Sequence, residues 1–154
     1  MLTIKPDVTS ALEQLYGLLA RVEDPSPVLI EIGEALAAST MDRFATGKAP
    51  DGAAWAPNAQ TTIDLYNGLF SSSAAKRPLV GESKRLGSEI SWQLDGRAVE
   101  IGSPLPYANM QQFGGTKAQW PHLWGDIPAR PYLGISSADE ASILDIVRAY
   151  LAPD

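Results

Sequence analysis

The chain has 154 residues, with 12 lysines and arginines against 18 aspartates and glutamates, a formal net charge of -6 and 45% hydrophobic residues. That length fits a single domain with a sizeable core, and the acidic balance argues against a protein that grips nucleic acid through a basic face. With no cysteine there is no disulfide and no thiolate metal site, and no apolar run approaches the ~20 residues of a membrane span.

The N-terminus, Met1 to Pro6, has no apolar core of a secretory signal, so cytoplasmic synthesis is expected. Val8, Leu12, Leu15, Leu18, Leu19 and Val22 then recur at three- and four-residue steps and predict an amphipathic helix over 7–22, capped by Asp7 or Thr9. Asp24-Pro25-Ser26-Pro27 ends it and opens a second helix, because a cap residue followed by proline is a start signal. That helix is expected to reach about Ala45, with Val28, Leu29, Ile32, Leu36 and Phe44 on one side. Glu31, Glu34, Asp42 and Arg43 are expected in water, and the two helices as an antiparallel hairpin.

Residues 46–60 lose all periodicity. Pro50-Asp51-Gly52 is a turn, since proline fixes φ and glycine accepts positive φ. Trp55 reads first as an anchor that pins this loop, because its ring buries a large apolar area. A short helix over Thr61 to Phe70 follows, then a small, polar and basic stretch, Ser71 to Pro78. Lys76, Arg77, Lys84 and Arg85 form the one basic cluster. Without interleaved aromatics they fit a solvated loop better than a nucleic-acid grip.

Ile90, Trp92 and Leu94 alternate with Ser91 and Gln93, and Val99 and Ile101 alternate beyond Asp95-Gly96. This predicts a β-hairpin closed by a type I′ turn at Asp95-Gly96. Gly102-Ser103-Pro104 breaks the second strand. A short amphipathic helix carries Tyr107, Met110 and Phe113, and Gly114-Gly115 stops it. Tyr107, Phe113 and Tyr132 are expected mostly in the core.

Residues 115–126 hold two of the four tryptophans, Trp120 and Trp124, with Pro121 and the one histidine, His122, between glycine-rich ends. This reads as a projecting loop, and aromatics displayed there suit partner contact. Residues 127–135 read as a strand. Pro128 and Pro131 remove two backbone donors and confine it to a sheet edge. Arg130 is expected to bridge to a helix carboxylate or to pair across subunits. Ser137 with Glu140 reads as a capping box, and the helix it opens, running to about Leu151, is expected to cover the hairpin.

No P-loop, dinucleotide fingerprint, zinc spacing or nucleophile elbow is present. No catalytic, metal or cofactor-binding residue is expected, and a non-enzyme is the favoured class. The fold class expected is α+β: a small antiparallel sheet built on the hairpin, packed by the N-terminal helical hairpin and the C-terminal helix. It forms a single domain over 1–154, with projecting loops at about 46–60, 71–85 and 115–126.

The order of the motifs resembles the phage virion morphogenesis (tail completion) proteins of Mu-like and P2-like tailed phages. The carrying residues are Pro50-Asp51-Gly52 with Trp55 and Pro57, then Val99 to Ser103, then Tyr107-Ala108 with Gln112-Phe113-Gly114. Ile127 to Gly134 and the helix from Asp139 to Leu151 complete the series. The chain departs from the pattern at 67–85, where Lys84-Arg85-Leu86-Gly87-Ser88 stands in place of a Thr-Gly-x-Leu-like strand start.

The resemblance implies a structural virion protein at the head–tail neck or the head-proximal tail end. Such a subunit completes the tail or makes it competent to join the head. It implies a homo-oligomeric ring, often a hexamer, against adjacent neck, tail terminator or tail tube proteins, with DNA passing through the lumen without specific binding. It carries over no catalytic residue and no membrane partner. The interface candidates are Trp55, Trp120, His122, Trp124 and Arg130. The alternatives are a nucleic-acid-associated accessory module using the basic loop 76–85 and a small hydrolase using His122 with a carboxylate.

Overall fold

A computed structural model of the chain describes residues 9–69, 77–81, 83–123 and 125–152. Among them are α1 (Thr9–Glu23), α2 (Ser26–Thr46), α3 (Gln60–Leu69), α4 (Arg85–Ser88), β1 (Ser91–Asp95), β2 (Ala98–Gly102), α5 (Ala108–Phe113) and α6 (Ser137–Leu151). The architecture is α+β, as the patterning predicts, with one two-stranded antiparallel sheet among the described residues.

The fold is arranged about α2. Proline near its first turn pre-sets φ where a free N–H would find no helical partner. Asp24 accepts from the Ser26 N–H at 3.1 Å. At the other end Gly47 adopts φ 69° and its N–H bonds the Arg43 carbonyl, so the helix stops where a residue without Cβ is available. Its buried positions run from Val28 through Ile32, Gly33, Ala37 and Thr40 to Arg43 and Phe44. That set is wide enough to pack the hairpin on one side and α6 on another.

The hairpin pairs Trp92 with Ile101 and Leu94 with Val99, which puts all four on the inward face. Trp92 lies flat on α2 because Gly33 is there: a Cβ at that position would sit 2.5 Å from the indole. The turn differs from expectation by one residue. Asp95 pairs with Ala98, so the turn residues are Gly96 and Arg97. Only Gly96 has positive φ, 59°, which suits a glycine-led type II′ turn and not type I′.

The expected layering is corrected at α6. It packs on α2, and α2 separates it from the hairpin. α1 joins α2 through Asp24-Pro25, and its lateral contacts go mainly to α6. The capping box is also one residue earlier than expected. Ser136 Oγ accepts from the Asp139 N–H at 3.2 Å, and Asp139 Oδ2 accepts from the Ser136 N–H at 2.7 Å.

The same carboxylate explains the largest correction, Arg43. Expected in water, it is 7% exposed. It donates from Nη2 to Asp139 Oδ2 and from Nη1 to the Tyr132 carbonyl at 2.7 Å and the Gly134 carbonyl at 2.9 Å. A buried guanidinium is tolerable only when its donors are satisfied this fully. The fork ties α2, α6 and the 130s segment together.

Residues 127–135 are not a strand of the sheet; a single bridge joins Ile127 to Gly115. Prolines delete the donors at 128 and 131, and one side chain, that of Gln112, serves the N–H groups of Tyr132 and Leu133. Gln112 Oε1 accepts from Tyr132 N (2.9 Å) and Leu133 N (3.0 Å), and its Nε2 donates to the Leu133 carbonyl (3.1 Å). The Arg130 N–H goes to the Gln111 carbonyl at 2.8 Å. α5 therefore supplies by side chain and carbonyl what a neighbouring strand would supply by backbone.

Candidate assembly surface

The loop after α2 folds back on itself. Lys48 bridges Ala54, Gly52 turns with φ 85°, and Asp51 Oδ1 accepts from the Ala53 N–H at 2.9 Å. Trp55 is consumed inside: it is 6% exposed, meets Phe44 edge-on at 5.3 Å, and its Nε1 donates to the Pro131 carbonyl at 2.7 Å. Its place is that of the loop anchor, with the exposed tip at 51–54 standing above it.

Arg130 is likewise inside, at 7% exposure. It makes no ion pair among the described residues. Nε donates to the Ala56 carbonyl (2.7 Å) and Nη2 to the Pro57 carbonyl (2.8 Å). The helix-carboxylate bridge expected of Arg130 is made by Arg43 instead. Arg130 is a clasp between the 56–57 turn and the 127–135 segment, and burial lowers its pKa from the ordinary arginine value.

Tyr132 is core as expected, 1% exposed and tilted against Phe44 at 5.5 Å. Burial, then nearby Tyr107, raises its pKa above the usual phenol value. Phe113 and Tyr107 are not core: they are 75% and 42% exposed. The cause is α5 itself, a six-residue helix. It turns Ala108 toward Tyr132 and spends Gln111 and Gln112 on the 130s segment, so Phe113 is left pointing out.

Beside Phe113 stands the 115–126 loop. Its base is the Gly115–Ile127 bridge, with N–H···O distances of 2.9 and 2.8 Å. Above the base, the Lys117 N–H donates to Asp126 Oδ1 at 2.7 Å. Thr116 caps a turn, with its Oγ1 accepting from Gln119 N at 3.2 Å and its carbonyl from Trp120 N at 2.9 Å. Gly114, at φ 71°, is required here, and Gly115 lies close under side chains. A Cβ on Gly114 would lie 2.7 Å from the Ala129 nitrogen, and one on Gly115 would strike the Met110 sulfur and crowd Trp120.

Trp120 is 48% exposed, and the exposed His122 meets it edge-on at 6.1 Å. Trp124 lies outside the described residues. Phe113, Trp120 and His122 thus share the neighbourhood of a braced loop, whereas Trp55 and Arg130 belong to the interior. Sequence reasoning missed Phe113; a six-residue span between breakers was the available signal that α5 is too short to bury all its apolar side chains.

Two hollows flank the ridge Asp126-Ile127-Pro128. One is an open groove of about 880 Å³ whose lining includes Pro57, Tyr66, Arg85, Tyr107 and Arg130. The other, about 510 Å³, lies between Phe113 and Thr116.

Two arginines of the basic cluster have local partners. Arg77 Nη2 donates to the Phe44 and Ala45 carbonyls at 3.1 and 2.9 Å, at the C-terminal end of α2, where a cation also suits the helix dipole. Arg85 pairs with Glu89 at 2.7 Å, and that carboxylate raises its pKa. Lys76 lies outside the described residues. As for hydrolysis, among the described residues no carboxylate is hydrogen-bonded to His122 and no metal-binding group of His, Asp or Glu is assembled.

The chain matches the phage virion morphogenesis family over residues 7–152. It belongs to that family. A relative, Mu-like prophage FluMu G protein 2 of Haemophilus influenzae, is 28% identical over 144 residues, covering 94% of this chain and 88% of the relative. Protein G of Escherichia phage Mu, provisionally named for capsid assembly, is 46% identical over 48 residues, 31% of this chain and 30% of the phage protein. No solved structure matches. Membership gives the protein a part in phage virion assembly and an association with the virion. Among the described residues no helix is long and apolar enough to cross a membrane.

Proposed function

We propose that this family member is a ring-forming subunit of the head–tail neck or head-proximal tail end, acting in tail completion and head–tail joining. The observation that carries the reading is the exposed Trp120–His122 pair on a loop pinned at its base, with the exposed Phe113 at the end of α5 where that loop begins. Large apolar side chains held rigidly lose little entropy on docking, and such anchors supply most of an interface's energy. The recesses on either side of Asp126-Ile127-Pro128 offer matching seats on the next subunit.

The ring is proposed as a hexamer facing neighbouring neck, tail terminator or tail tube proteins. A net charge of -6 suits a channel through which DNA slides without sticking, because acidic walls repel phosphate. The name of the phage Mu relative, which points to the capsid, is compatible with a place where head meets tail.

A phage deleted for this gene, examined by electron microscopy of lysates, tests the place. Full heads and separate tails are expected, with joining restored by the wild-type chain and not by Trp120→Ala/Trp124→Ala. Normal joined particles from the deletion phage would refute the neck role.

A further inference from the structure

α1 is fastened to the rest of the protein at one end. The Tyr150 hydroxyl donates to the Arg21 and Asp24 carbonyls at 3.3 and 2.7 Å, Arg97 Nη2 donates to the Val22 carbonyl at 2.9 Å, and the Arg21 guanidinium donates to the Ala152 carbonyl. Along its length α1 shows solvent an apolar face: Leu12 43%, Leu15 58%, Tyr16 66%, Leu18 39%, Leu19 50% and Val22 52% exposed. A helix of this size is marginal alone in water, since nucleation is costly and packing supplies most helical stability. An uncovered face on it is not a resting state for the assembled protein.

The pattern says what covers it. Leu12, Leu15, Leu19 and Val22 are spaced three, four and three residues apart, which is an a/d seam. Such a seam is self-complementary: leucine and valine knobs on one helix fit the holes of the same surface on another. The positions beside it are Tyr16, Leu18 and Glu23, so two copies meet without a row of opposed like charges, although the whole chain is acidic. Six large side chains about half exposed present on the order of 500 Å² per copy, so a pair would bury on the order of 1,000 Å², the size at which specific contacts begin.

We infer that α1 is a self-association helix: its seam packs on the α1 seam of a second copy of this chain. This contact is separate from the aromatic loop and does not depend on the ring reading.

The absence of cysteine makes the test clean. Leu15→Cys and Leu19→Cys chains are oxidised with copper-phenanthroline, singly and mixed. Gly17→Cys, on the far side of the helix where an added Cβ meets nothing within 4 Å, is the control. Cross-linking of covalent dimers at least about ten times faster than the control is expected, because pairing raises the effective thiol concentration. A parallel pair links each variant alone; an antiparallel pair links the mixture. Rates equal to the control in all three would overturn the inference. So would Leu15→Glu/Leu19→Glu chains that keep the wild-type mass in solution yet fail to assemble virions, since the seam would then belong to another virion protein. The link should persist in Trp120→Ala/Trp124→Ala, which separates this contact from that of the loop.

Discussion

Among single residues, Asp139 does most to hold the segments together. Burial pushes its pKa up, but the hydrogen bonds from Ser136 and Ser39 and the charge of Arg43 outweigh that, and the carboxyl titrates below the ordinary aspartate value. A depressed folded-state pKa contributes stability that is present above the unfolded pKa of ~4 and is lost as pH falls through the folded value. Acid unfolding should therefore steepen below about pH 4, and Asp139→Asn should flatten that limb in a denaturant series against pH. Arg43→Ala leaves the carboxylate buried without its cation and should cost about 3 kcal/mol in urea unfolding at pH 7. Gln112 supports a second residue-scale expectation. Gln112→Ala strands the N–H groups of Tyr132 and Leu133 and should cost about 2 kcal/mol, while Gln112→Glu keeps the acceptor and should lose less. None of these partnerships was legible in the sequence. Arg43 and Asp139 are 96 positions apart, and an arginine on a helix reads as solvated until its partner is known. The stretch Ser136-Ser137-Ala138-Asp139-Glu140 holds two overlapping capping boxes, and only the demand of Arg43 for Asp139 selects between them.

Elements were read most reliably where local chemistry decides. The hairpin follows from strict alternation plus a turn glycine, and its faces are as expected. Its turn slipped by one residue because a glycine-led type II′ closure needs positive φ at one position only. The 127–135 segment defeated the pattern for a different reason: its hydrogen-bond partners on α5 are the Gln112 side chain and the Gln111 carbonyl, which no strand template contains. Gly33 was legible only as an isolated glycine in a helix; the structure shows that the indole of Trp92 occupies its missing side chain. Gly33→Ala should accordingly lower stability by about 2 kcal/mol despite the better helix propensity of alanine, because overpacking against a ring outweighs it. A calorimetric Tm equal to or above wild type would show that the Trp92 contact is looser than described.

For the whole molecule, the order of weak motifs carried more than any one of them, since together they marked the virion morphogenesis family before any contact was known. The interface did not follow so directly. Of the aromatic and basic candidates, Trp55 and Arg130 are committed to the interior, Trp120 and His122 are displayed on the loop, and an unforeseen Phe113 is exposed at the end of α5. Burial cannot be read from residue type when a short helix must choose which side chains to turn in. If the displayed group joins subunits, replacing it should abolish assembly while the Phe44–Trp55–Tyr132 core, which it does not touch, keeps the monomer folded. The most direct measurement is the mass of the purified protein by light scattering over a concentration series, for wild type and for Trp120→Ala/Trp124→Ala. Wild type should give a closed oligomer of fixed mass, and the variant should fall to smaller species with an unchanged circular dichroism spectrum and Tm. A variant that keeps the wild-type mass, or that unfolds, would contradict the assignment of this loop to the assembly surface.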